Sequence, residues 1–244
     1  MITFDLIDTH GWEPALRGMR NPMNSWEKSD SRFFPEALYI GDNDLSLMER
    51  LANAGTDHRK FMRMITVYVD ICAPLYWWKE FDTYKVGTVA NSCSTMHKIH
   101  AKAFAEDDFS CEHLMCSIFD PDTPERSIAC PITPTPFENL TATISCLNRC
   151  RELYLETKDK RYWWQMIQLL PSSYNQKRTV MLNYEVLTNI YQSRRKHKLD
   201  EWREFCSWSE HLPYFKELMD SIQTKEDVAN HYERAAARGG RNNY

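Results

Sequence analysis

Three pairs of soft or imidazole ligands stand close enough along the chain to be weighed as metal sites: Cys111 with Cys116, His97 with His100, and Cys146 with Cys150. None has the C-x2-C spacing typical of structural zinc, so no metal is expected. Cys146 and Cys150 fall on one face of a helix, where thiols serve as small apolar packing groups. A backbone cradle for phosphate is also missing. Glycines stand only at 11, 18, 41, 55, 87, 239 and 240, which builds neither a GxGxxG turn nor a P-loop. Any dinucleotide would have to be held by side chains and helix ends. No GxSxG elbow marks a hydrolase, and the carboxylates are too many to single out an acid–base pair.

The composition sets the frame for these groups. With 43% hydrophobic and 13% aromatic residues, 244 residues can bury a sizeable core. Seven glycines are few for that length, which favours helices over tight hairpins. The net charge of −4 carries no basic surplus, so neither DNA nor RNA is an expected partner. No run approaches the roughly 20 apolar residues of a membrane span, so no membrane is expected either. Eight cysteines in a core-rich chain that opens without a signal-peptide pattern read as reduced thiols of a cytoplasmic protein.

The elements follow from capping and periodicity. The first 40 residues, with Pro14, Pro22 and Pro35, read as polar and irregular. Asp42-Asn43-Asp44 predicts the cap of a helix through Leu45, Met48 and Leu51 that stops near Gly55. MITVYVDI, 64–71, predicts a buried strand, and Pro74 opens a short aromatic helix from Leu75 to Phe81. Thr83 to Ser94 reads as a polar loop. Five prolines between 121 and 136 make 105–136 an irregular insert. Thr135-Pro136-Phe137-Glu138 is a capping box that starts a helix carrying Leu140, Ile144, Leu147 and Leu155. An aromatic helix around Tyr162, Trp163 and Trp164 ends before Pro171. Residues 179–182 predict a short strand, Asn183 caps a helix through Val186, Leu187, Ile190 and Tyr191, and further helices run from Leu199 to Trp208 and from Pro213. The pairs Trp77-Trp78 and Trp163-Trp164 read as core. The expected architecture is α+β: one helix-rich domain over 1–224 with a small central sheet, then a tail over 225–244 that is helical before becoming disordered and basic.

Two separated blocks add a resemblance. HRKFMRMITVYVDICAPLYWWKEFDTYKVGTVANSCSTMH, from His58 to His97, resembles the core block of the flavin-dependent thymidylate synthases. In that family a histidine precedes a buried strand and a helix, then a signature of the form RHRxxSxNExSxRY. His58 stands 25 residues (83 − 58) before Thr83, matching the family spacing. In this register the RHR triplet reads Thr83-Tyr84-Lys85 and the first signature serine reads Thr88. After one extra residue, Asn91 and Ser94 match the signature, while its closing Arg-Tyr reads Met96-His97. LLPSSYNQKRTVMLNYEVLTNIYQSRRKHKLDEW, 169–202, is similar to the family's carboxyl-terminal segment: Pro171, Asn183, Asn189 and Arg194 match without gaps at separations of 12, 6 and 5. The family arginine before Leu-Pro is Ile167 here, the one after the first asparagine is Glu185, and His197 falls one residue early.

The resemblance implies a homotetramer with FAD and a pyrimidine deoxynucleotide bound between subunits. The implied reaction converts dUMP to dTMP, with methylenetetrahydrofolate as one-carbon donor and NADPH as reductant. It implies catalytic roles for Arg194, against the pyrimidine, and Ser94, on the phosphate side. His58, Lys85, Thr88, Asn91, Asn183 and Asn189 are implied to bind the cofactor. Each has a plainer reading. Asn183 caps a helix, Arg194 belongs to a basic helix end that complements the dipole, and Thr88 and Ser94 lie in a loop. Loss of the family arginines at Thr83, Met96 and Ile167 removes charge-assisted bonds to phosphate. Lys79, Lys85, Lys98 and Arg178 are the cations available instead. A non-catalytic nucleotide or flavin binder on the same fold is the alternative.

Overall fold

The computed structural model describes residues 2–34, 37–118 and 127–222. The expected tail, 225–244, lies outside the described residues, as does part of the proline-rich insert. Strands β1 (Thr3–His10), β4 (Thr66–Pro74), β5 (Thr88–Ser92) and β6 (Asn175–Asn183) form a four-stranded sheet in the order β1-β4-β6-β5. Strands β2 (Arg32–Phe34) and β3 (Ala37–Tyr39) make a separate antiparallel pair with Arg32 opposite Tyr39. The helices include α1 (Trp12–Arg20), α2 (Asp42–Asn53), α3 (Leu75–Phe81), α4 (Pro136–Thr157), α5 (Lys160–Leu169), α6 (Tyr184–Arg194) and α7 (Asp200–Ser209), and residues 215–222 are helical after Pro213. Among the described residues this is a helix-rich α+β chain with a small sheet, as its periodicities predict.

Contacts divide the described residues into two compact units: those of 1–5, 70–83 and 90–179 in one, and those of 6–69, 84–89 and from 180 on in the other. In the first, Ile99, Phe104, Phe109, Leu140, Leu147 and Met166 form a closed apolar cluster. The predicted capping box starts α4 as drawn: Thr135 Oγ1 accepts from Glu138 N at 3.1 Å, and Glu138 Oε2 accepts from Thr135 N at 2.8 Å. On that helix Leu140 and Leu147 are buried, but Leu155, eight residues beyond Leu147 and about 80° round the helix, is 37% exposed. In α3 both Trp77 and Trp78 are buried, with Trp77 stacked on Phe81 at 5.0 Å and Trp78 Nε1 donating to Gln176 O at 2.9 Å. Trp164, expected in the core, is half exposed instead.

Among the described residues, the stretch from 6 to 40 forms strands, a helix and 3-10 turns rather than the irregular chain expected. Gly11, at φ +86°, turns the chain out of β1 into α1, and a Cβ there would meet Met64 O at 1.9 Å. Pro14 sits in the first turn of α1 and Pro22 in the 3-10 turn that follows, where a missing N–H costs nothing. The cap of α2 is also not the one predicted. Gly41 occupies the N-cap position, and the first-turn amides of Asn43 and Asp44 donate to the Asp30 carboxylate at 2.9 and 3.1 Å. Asp44 turns inward as a fully buried carboxylate. It accepts from Arg20 Nε at 2.6 Å, Ser29 Oγ at 2.7 Å and Ser31 Oγ at 2.6 Å. Tyr184 at the start of α6 is buried against Trp12 and Phe215, and its hydroxyl donates to Pro213 O at 2.7 Å. The same burial pushes the Tyr184 phenol well above its ordinary pKa.

Candidate functional site

The second unit holds helix α6 together with the segment 84–89. Strand β6 delivers Asn183 to the N-cap of α6, where its Oδ1 accepts from Val186 N at 3.0 Å. The cap reading of Asn183 is therefore correct, and it engages only the oxygen of the amide. The nitrogen faces Gly87, where an added Cβ would stand 2.6 Å from Asn183 Nδ2 and 3.2 Å from Val186 Cγ2. Gly87 also has φ +79°. Gly87→Ala is expected to lower stability by about 1–3 kcal/mol, through left-handed strain and the steric conflict with Asn183. Denaturant melts would show this as a reduced midpoint at unchanged slope.

Arg194 ends the same helix and is half-buried, not a solvated helix end. Its Nε donates to the Tyr84 hydroxyl at 2.9 Å, and its guanidinium lies 4.9 Å from the centre of the Trp202 ring. Tyr84 and Trp202 meet edge to face at 6.0 Å, and His197 approaches the same indole at 6.3 Å. Asn183 and Arg194 can share one face because they are 11 residues (194 − 183) apart, which leaves them about 20° out of phase. Asn189 is six residues (189 − 183) from the cap, about 240° round, and stands exposed on another face. The structure thus brings two of the three matched helix residues against the 84–89 segment. It does not bring Asn189 there.

The remaining candidates are scattered in role. Thr83–Ser94 is not simply a loop, since Thr88–Ser92 is strand β5. Thr88 Oγ1 is buried without a hydrogen-bond partner among the described residues. Lys85 and His58 are exposed, the latter capping a 3-10 turn. In the first unit Asn91 is exposed on β5, and the exposed Ser94 uses its oxygen to accept from Met96 N at 3.2 Å and His97 N at 2.9 Å. Thr83 donates to Glu80 O at 2.7 Å. Arg178, one of the replacement cations, is committed: it pairs with Asp82 at 2.7 Å and lies over Trp78 at 4.2 Å. Glu185, where the family has an arginine, is buried and paired with Arg59 at 3.0 Å.

Sequence reasoning passed over Tyr84 and Trp202. Tyr84 was visible only as a departure from the RHR triplet, and Trp202 only as an apolar residue of a helix. Burial raises the pKa of Cys72, Cys111 and Cys150, and pushes Cys206 up to about 12, which keeps these groups protonated. No cluster of metal-ligating side chains occurs among the described residues. No described helix is long and apolar enough to cross a membrane. Two clefts in the second unit lie elsewhere, one of about 470 Å³ lined by Asp8, His10, Phe33 and Phe34, another of about 160 Å³ beside Arg17, Arg20 and Trp26. Neither includes Arg194 or Asn183, and the side-chain geometry is the better guide to chemistry.

No protein-family model and no curated protein matches the sequence. Solved structures do match. Thymidylate synthase X of Helicobacter pylori, solved with FAD and dUMP, superposes with a TM-score of 0.63 at 16% identity, covering 91% of this chain and 99% of that one. This chain has the fold of the flavin-dependent thymidylate synthases. A second structure of the Helicobacter pylori enzyme with FAD and dUMP gives a TM-score of 0.61 at 16% identity, covering 91% and 98% of the two chains. A UMP/dUMP methylase of Streptomyces cacaoi, bound with 5-Br UMP, gives 0.57 at 13% identity over 91% and 95%.

Proposed function

We propose that this protein binds FAD and a pyrimidine nucleotide and modifies the base at C5, in the manner of a dUMP-to-dTMP conversion with methylenetetrahydrofolate and NADPH as co-substrates. The observation that carries this reading is the pairing of Arg194 and Asn183 with the 84–89 segment, on a fold of which one solved example holds FAD and dUMP and another holds 5-Br UMP. The donors present fit a flavin in kind. Thr88 offers a buried hydroxyl with no partner among the described residues, and the amide of Asn183 has its nitrogen turned away from the cap. Thr88, Asn183, Asn91, Lys85 and His58 would hold the cofactor, and Asn189, on another face of α6, would do so only as part of a site shared with another subunit. Bound FAD would supply hydride and one-carbon transfer chemistry.

Within that reading Arg194 places a fixed cation against the pyrimidine, stabilising negative charge that builds on the ring as C5 becomes nucleophilic. The Trp202 face shields the guanidinium from water and so strengthens its field. Ser94 donates its hydroxyl proton toward the nucleotide phosphate while its oxygen anchors the local turn. We further propose a cytoplasmic homotetramer, in which nucleotide sites form between subunits and the eight thiols, all free, stay reduced.

One observation favours a second reading, a nucleotide or flavin binder without turnover. Thr83, Met96 and Ile167 stand where phosphate-gripping arginines are expected, and Arg178 is already paired. Release of the C5 proton from labelled dUMP and dCMP separates the two. Turnover-dependent release supports the enzyme. Tight binding of FAD and nucleotide with no release supports the binder.

A further inference from the structure

We infer that Tyr84 is a positioning residue for Arg194, an inference that rests on the site proposed above. The Tyr84 hydroxyl accepts from Arg194 Nε at 2.9 Å, and the guanidinium carbon lies 4.9 Å from the centre of the Trp202 ring and 5.9 Å from that of the Tyr84 ring. A hydrogen bond to Nε and contacts with two rings together restrict where a planar cation points. Deleting the hydroxyl removes the most directional of these restraints, and a charge on a long side chain loses part of its aim. The Tyr84 ring is itself seated edge-on against Trp202 at 6.0 Å. Three residues later, Gly87 presses on the cap of α6, so the segment carrying the hydroxyl is tied to both ends of the helix that carries the cation. The signature position that Tyr84 fills thus has a defined task in this chain: it serves the arginine.

Tyr84→Phe keeps the ring and its packing and deletes only the acceptor. In nitrogen-15 spectra of the ligand-free protein, the Arg194 Nε–H signal, identified by its loss in Arg194→Lys, is expected to exchange with water roughly tenfold faster in Tyr84→Phe, with the melting midpoint unchanged. In the FAD-loaded protein, Tyr84→Phe is expected to raise the dUMP dissociation constant roughly tenfold, and Arg194→Ala by more. The double variant should bind no more weakly than Arg194→Ala, because a positioning residue has no effect once its charge is gone. An unchanged Nε–H signal, or losses that multiply in the double variant, would overturn the inference. Wild-type protein that ignores dUMP would overturn the functional reading of the site, and the positioning role in catalysis with it. Weakened binding in Arg194→Ala alone, with Tyr84→Phe silent, would overturn the inference and leave that reading standing.

Discussion

Asp44→Ala is expected to destabilise the fold by about 3–5 kcal/mol, because it strands a buried guanidinium. Arg20 is 4% exposed and its Nη2 already has no partner among the described residues, so removing the carboxylate leaves a charge that water cannot reach. The hydroxyls of Ser29 and Ser31 lose their acceptor in the same step. For a chain of this size that corresponds to a fall in Tm on the order of 10 °C. The pH dependence has a definite sign. Burial acts to raise the Asp44 pKa, but hydrogen bonds from Ser31, Ser29 and Arg20, with the Arg20 charge, hold it below the ordinary carboxylate value. The stabilisation is therefore present above the unfolded carboxylate pKa and is lost as pH falls through the lower, folded one. Thermal melts at descending acid pH should show this loss in the wild type and not in Asp44→Ala.

Arg194→Ala is expected to lower both kcat and kcat/KM for C5 chemistry by roughly 100-fold, the scale seen when one donor to a developing negative charge is removed. Equal losses in the two constants mean the cation acts in the transition state. A rise in KM alone would mean it only holds the ligand. Arg194→Lys should recover little, since a point charge cannot keep both the Tyr84 bond and the Trp202 face contact.

The sequence shows its elements wherever local rules decide them. The Thr135 capping box, the Asn183 cap and the aromatic helix after Pro74 are set by residues within a turn of each other, and all three stand in the structure as predicted. The described residues between 6 and 40 owe their order to non-local contacts. Asp30 caps α2 from outside the helix, Arg20 meets Asp44 across 24 positions (44 − 20), and Ile40 N donates to the hydroxyl of Tyr214. Composition alone cannot reveal such partners. The site behaves the same way. Asn183 and Arg194 fall on one face by helix arithmetic, which is legible. The Tyr84 hydroxyl reaches across 110 positions, which is not. Asn189 matched in spacing yet lies on another face, since an alignment records separations and not angles.

The visible absorbance spectrum of the purified protein after incubation with FAD and removal of the excess tests the central claim most directly. A bound flavin whose absorbance bands shift when dUMP is added, with the shift lost in Arg194→Ala, is the result expected. A protein that emerges colourless at saturating FAD would contradict it.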